Sequence, residues 1–391
     1  MQALASSQLG PEQSGPFSFS ALLERPLILI CGKDSRGAKS GKCIHLTATE
    51  IIPQISDVVR AAVSEIGRTE DVRFSPDNRL LALAAFEQNH VLIIAVDVSP
   101  GGSSCSIALN DCVRLSSDGI GDVHGLDFID DHTLIVANRD GYVSIIPLPR
   151  MPFGGPSVEL APVSVIRRTL FCKVRTPGSV AVTRLGSGFE VLVCNNYSHR
   201  VTQHRIGPGP GFRVRSNRKL LTDGLRIPDG VSISHNGKWI AVSSHETNDV
   251  KIYRRSPNFL RNTKVVGRLL GANYPHGVRF TPDDTNVLVA DAGGKAVRVY
   301  EAGPEVDWRG DRSVARMVDV ISEDEFERGR TSPMEGGPKG IDIDRSGRIM
   351  VMTCEEAPLR FFTMTDFLGN RVADRTDLTK LDGSSLLNAH S

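Results

Sequence analysis

One unit recurs along the chain: an alternating apolar strand, a polar turn, a second apolar strand, a polar loop and a third strand. No other feature limits the fold more tightly. The clearest copy is PDGVSISHNGKWIAVSSHETNDVKIYRR at 228–255. Others cover 275–301, 338–362, 70–96, 123–148 and 177–206, and a weaker one covers 17–46. The last apolar residue of each first strand serves as a ruler: Phe19, Phe74, Phe128, Val182, Ile233, Phe280 and Ile343, with steps of 55, 54, 54, 51, 47 and 63. Each unit alternates with period two and is bounded by Gly, Asp, Asn and Pro. Stretches such as CVRLSS at 112–117, APVSVIRRTL at 161–170, NTKVVGRLL at 262–270 and VARMVDVI at 314–321 add a fourth strand to each unit.

Four-stranded units at this spacing form propeller blades around a central channel. Seven copies predict an all-β, seven-bladed β-propeller of four-stranded antiparallel blades over 15–382, with tails at 1–14 and 383–391. A parallel α/β fold would need helices of about 10–15 residues between strands, and no such pattern occurs. The 37 Gly and 22 Pro mark turns instead. The longest step contains SEDEFERGRTSPMEGG at 322–337. There Ser322 followed by Glu325 is a capping box, which predicts one short helix on an insertion that reaches over the channel mouth.

Charge and cysteine usage narrow the function classes. Lys plus Arg is 46 and Asp plus Glu is 45, so the net charge is +1 and bulk charge does not direct the chain to nucleic acid or a membrane surface. Apolar runs such as LILIC at 27–31 and VLIIAV at 91–96 are of strand length, short of a membrane span. The N-terminal stretch lacks a basic region followed by an apolar one, so no signal peptide is expected. With that, the scattered Cys31, Cys43, Cys105, Cys112, Cys172, Cys194 and Cys354 are expected to be reduced thiols of a cytoplasmic protein. The basic run FRVRSNRK at 212–219 reads as a solvated outer strand. GPGPG at 207–211 lacks the Lys-Ser/Thr of a P-loop, and GVSIS at 230–234 lacks the second Gly of a nucleophile elbow. His199 and His204 read as surface or packing residues.

The rhythm Pro275-His276-Gly277-Val278, Ser75-Pro76-Asp77, Val136-Ala137-Asn138 and Val297-Arg298-Val299-Tyr300 resembles the lactonase-like and NHL-like propellers over nearly the whole chain. Among seven-bladed members, the resemblance implies phosphogluconolactonase-type hydrolases, carboxymuconate-lactonising enzymes and non-enzymatic partner-binding propellers. No catalytic motif of these families recurs residue by residue. The candidate site therefore rests on the repeat alignment.

In a propeller, equivalent positions of different blades share one ring. Four residues before each ruler stand Gly15, Glu70, His124, Gly178, Asp229, His276 and Lys339, so five units present an ionisable side chain. Gly follows in four units (Gly125, Gly230, Gly277 and Gly340), where it is expected to let the backbone turn into the channel strand. A second ring, from the ends of the second strands, holds Asn138, Arg139, Asn195, Asn196, His245, Glu246, Asp291, Glu355 and Glu356.

As catalytic candidates, His124 or His276 suits a general acid or base, Asp229 or Glu70 an orienting carboxylate, and Lys339 an anion holder. Asn138, Arg139, Asn195, Asn196, His245, Asp291 and Glu355 are the substrate-binding candidates. The expected function is a small-molecule enzyme, a hydrolase or isomerase of lactonase or cycloisomerase type, acting by acid–base chemistry on an organic acid, lactone or cyclic metabolite. The alternatives are a scaffold binding a protein or peptide, and a divalent-metal-dependent hydrolase or lyase.

No cofactor is required for the first reading. A divalent ion in the channel is the option offered by Glu70, Asn138, Asn195, Asp229 and Asp291, oxygen donors of the calcium type. The resemblance extends to six-bladed gluconolactonases, which hold calcium with such residues. The expected partner is a small-molecule substrate, with no nucleic acid or membrane; the oligomeric state stays open. Replacing His124 or His276 is expected to leave stability nearly unchanged, on the ground that a channel-mouth side chain buries little area.

Overall fold

Period-two stretches rich in Val, Ile and Leu form strands whose two faces both pack against neighbours, and here they stack as blades. The computed structural model describes residues 43–101, 104–170, 174–209, 211–255 and 263–369. Their strands form six sheets. The inner strands, which line the channel, are Thr69–Phe74, Val123–Asp130, Pro177–Leu185, Pro228–Ile233, Pro275–Phe280 and Pro338–Ile343. We number the blades 1 to 6 in that order. An apolar cluster lies between each neighbouring pair, including Val72, Leu83, Ile349 and Phe361 between blades 6 and 1.

The propeller therefore has six blades, not the seven predicted from the repeats. The weak copy at 17–46 lies almost wholly outside the described residues, and the ring closes without it. Closure uses the same contact as the blade-to-blade joints. The side chain just before the ruler accepts a hydrogen bond from the ruler amide of the next blade: Asp127 from Val182 (2.7 Å), Ser232 from Phe280 (3.4 Å), and, across the junction, Asp342 from Phe74 (2.8 Å).

The blades are not uniformly four antiparallel strands either. The segment before blade 1 runs round the rim and stitches three sheets together. Ile44–Thr47 adds a parallel strand to blade 5, Glu50–Ile51 is the outermost antiparallel strand of blade 6, and Gln54–Ile55 pairs in parallel with Ser104–Ser116 of blade 1. A chain segment from the start thus completes the last blade, fastening both ends of the ring. The predicted helix forms as Glu323–Gly329, with the Ser322–Glu325 capping box in place.

The glycines after the ring position have a different task from the one expected. None of Gly125, Gly230, Gly277 and Gly340 adopts a positive φ. A Cβ on Gly230 would stand 2.3 Å from the His276 carbonyl oxygen, and one on Gly277 would stand 2.5 Å from that of Lys339. These glycines admit the backbone of the next blade. Gly277→Ala is expected to cost about 1–3 kcal/mol, since rigid backbone must move. Chemical denaturation would show it, and an unshifted midpoint would refute close blade contact there.

Cys105, Cys112, Cys194 and Cys354 form no disulfide. His204 packs inside blade 3, against Thr202 and Asn217. Burial lowers its pKa to about 4. The unfolded chain takes up this proton first, so the His204 contribution to stability is lost as pH falls from the ordinary histidine value of about 6.5 towards 4, by roughly 3 kcal/mol for this one group. A melting series over that range should show the drop, and His204→Gln should shrink it.

Candidate functional site

The inner strands enter the channel side by side, so their first residues meet at one end. Glu70, His124, Asp229, His276 and Lys339 form a ring there, one from each of five blades; blade 3 contributes Gly178. Each of the five side chains belongs to a residue no more than 4 % exposed. This corrects the expectation that side chains at the channel mouth bury little area.

The ring is one continuous network. Nζ of Lys339 lies 3.2 Å from Oε1 of Glu70, which also accepts from Nε of Arg68 at 2.6 Å. Oε2 of Glu70 stands 3.5 Å from Nε2 of His124 and 3.6 Å from Nε2 of His276. On its other side, His276 places Nδ1 3.0 Å from Oδ2 of Asp229. Asp229 also accepts from Nδ2 of Asn196 at 2.6 Å, and Nε2 of His245 lies 3.7 Å away. The His276 ring stacks on that of His124 and packs at a tilt against that of His245, with centroids 5.6 and 5.3 Å away.

Above the ring, the second-strand ends bring Arg139, Asn196, His245 and Glu355. Arg139 places Nη2 2.6 Å from Nε2 of His124, and Glu355 lies 3.0 Å from Nζ of Lys339. Three other candidates do not reach the channel. Asn138 bonds to the backbone of Gly119 and Gly121; Asn195 bonds to that of Arg175 and Val193 and to Thr202. Asp291 pairs with Arg298 and accepts from the Asn273 amide. They tie down loops, because the last residue of a second strand faces into its blade while the next faces the mouth. The oxygen-donor calcium set is therefore not assembled: of its members only Glu70 and Asp229 face the ring.

Sequence reasoning missed three contributors. Glu335, from the insertion in the longest repeat step, lies 3.2 Å from Nζ of Lys339. Arg68 and Tyr274 each precede a ring residue by two positions, on the loop entering the inner strand. Tyr274 packs on His245 with ring centroids 4.1 Å apart, and Arg68 lies over Phe86. The longest step and that loop position were the available signals.

The environment separates the proton affinities of the three ring histidines. Burial, reinforced by the Arg139 charge, lowers His124 to about 4. Burial likewise lowers His245 to about 4 despite Asp229. For His276 burial is outweighed by Asp229 and Glu70, and its pKa is raised. Burial would also raise Glu70, yet Lys339, His124 and His276 hold it far below the usual carboxylate range. Lys339 is held in its charged form by Glu70 and Glu335 against burial. The ring thus sets a histidine of raised proton affinity beside two of lowered affinity, the separation that acid–base catalysis uses.

No family model matches the sequence, and no curated protein sequence matches it either. Solved structures resemble the fold. A functionally unknown protein from Desulfotomaculum acetoxidans DSM 771 superimposes with a TM-score of 0.50 at 13% identity, over 76% of this chain and 83% of that one. A candidate 6-phosphogluconolactonase from Bacteroides uniformis ATCC 8492 gives 0.49 at 13% identity, over 75% and 80%. Another from Bacteroides fragilis NCTC 9343 gives 0.46 at 13% identity, over 75% and 79%. At such identity the first similarity speaks for the fold alone. Among the described residues, no helix is long and apolar enough to cross a membrane.

Proposed function

We propose that the protein is an enzyme acting on a small anionic molecule by acid–base chemistry at this ring, of lactonase or cycloisomerase type. The observation that carries the reading is the His276 imidazole held between Glu70 and Asp229, with His124 stacked on it and His245 tilted against it. In lactone opening, His245 takes a proton from the attacking water, and His276 gives one to the alkoxide as the ring C–O bond breaks. Water is consumed and an acid and an alcohol result. Arg139 and Arg68, partly exposed at the mouth, hold the substrate's carboxylate or phosphate. The substrate reaches the ring by displacing these long side chains.

A protein-docking face would carry exposed aromatic anchors. Of the aromatics beside this ring, Phe86 and Tyr274 are instead half-buried on Arg68 and His245, and Tyr197, next to Asn196, is a single exposed one rather than a cluster of anchors. The test is a pH-stat assay over aliphatic, sugar-acid and unsaturated lactones carrying a carboxylate or phosphate. Turnover that His245→Ala lowers at least 10²-fold, with an unchanged circular dichroism spectrum, is the expected result. Turnover of none of these classes by native protein would overturn the proposal.

A further inference from the structure

Two ring histidines and a carboxylate enclose a gap of the size a metal ion fills. Nε2 of His124, Nε2 of His276 and Oε2 of Glu70 all lie within 4.8 Å of one another. The nitrogens stand 3.5 and 3.6 Å from the oxygen, too far for good hydrogen bonds. With metal–ligand bonds of about 2.0–2.1 Å, donors at the corners of a tetrahedron stand roughly 3.4 Å apart. Oε2 of Glu70 is buried and accepts no hydrogen bond, although Oε1 of the same carboxylate takes Lys339 and Arg68. A buried carboxylate oxygen without a donor is costly, and a cation at this point removes the cost.

The opposite edge of each imidazole is fixed in the manner of metal-binding histidines. Nδ1 of His124 donates to the Gly178 carbonyl at 2.7 Å, which leaves Nε2 with a lone pair instead of a proton. Nδ1 of His276 donates to Asp229, which Asn196 holds in turn. The lone pair on Nε2 of His124 now accepts from the Arg139 guanidinium. Its own Nε is buried without an acceptor, and its partly exposed stem can swing outward.

We propose that Glu70, His124 and His276 form a site for one divalent transition-metal ion. Two imidazoles and one carboxylate suit ions of the zinc type rather than calcium, and they leave coordination positions open towards the mouth. A second trio, Asp229, His245 and His276, would require an ion to break the 3.0 Å His276–Asp229 hydrogen bond. The inference rests on the enzymatic reading for its chemical use: a bound ion takes the electrophilic place that the His276 proton fills in the ion-free ring. Binding itself is measurable without any substrate.

The test uses untagged full-length protein stripped with a chelator and titrated with Zn²⁺ by calorimetry and with Co²⁺ by absorbance. One equivalent is expected, with a Kd at or below about 1 µM, a visible Co²⁺ band of low coordination number, and a raised melting temperature with Zn²⁺. His124→Ala should weaken binding at least 100-fold, and Asp229→Asn about 10–100-fold. Arg139→Gln should tighten it, and His132→Ala, on the turn at the far end of the blade 2 inner strand, should leave it unchanged. If His124→Ala does not fold, the wild-type Co²⁺ spectrum decides: an octahedral, water-like spectrum overturns the site. So does the absence of binding at about 100 µM by protein that melts normally, or an undiminished affinity in folded His124→Ala. Tight binding without turnover of any lactone would sink the enzymatic reading alone. Turnover at full rate after chelation, with no binding, would sink the metal site alone.

Discussion

Lys339→Met should lower the stability of the protein by about 3–5 kcal/mol, the usual cost of stripping one partner from a buried ion pair. Lys339 is 1 % exposed and Glu70 is equally buried, with Nζ and Oε1 3.2 Å apart. Methionine has a similar length but leaves Glu70, with Glu335 and Glu355 beside it, without the Lys339 charge. Calorimetry at neutral pH would show the lowered melting temperature. The double variant Lys339→Met/Glu70→Gln should recover much of the loss, because it removes the stranded charge as well. Losses that simply add would mean that the two charges do not meet.

His276→Ala should abolish most turnover, by roughly 10²–10⁴-fold, the contribution of one positioned proton carrier. The melting temperature should fall too, against the sequence expectation of unchanged stability. His276 is 4 % exposed and bridges Glu70 and Asp229. Its removal leaves a cavity and two less satisfied carboxylates, for which about 1–3 kcal/mol is the expected cost. The two readouts separate the roles. A fall in turnover beyond that of His245→Ala, at a temperature where His276→Ala is fully folded, marks a proton carrier. A variant that is folded and fully active would remove His276 from the chemistry.

The all-β propeller, the strand positions and the five ring residues were legible in the sequence. They follow from local rules: period-two alternation, turn residues, and a ruler that puts Glu70, His124, Asp229, His276 and Lys339 in register. The Ser322–Glu325 cap was legible for the same reason. Blade number was not, because a repeat count depends on a weak copy at 17–46, whereas closure depends on whether Asp342 meets Phe74 as Asp127 meets Val182. The orientation of the second-strand ends was also undetermined: neighbours such as Asn138 and Arg139 are adjacent in sequence but face opposite ways on a strand.

The sequence alone determined which residues share a ring. Only the tertiary structure decided how deeply the ring is buried, that Arg68, Tyr274 and Glu335 complete it, and that His276 gains a proton affinity which His124 and His245 lose. The physical reason is that register is a property of one strand and its neighbours in the chain. Burial and electric field are set by groups brought together from distant parts of the chain, as Glu70 and Lys339 are from 269 positions apart.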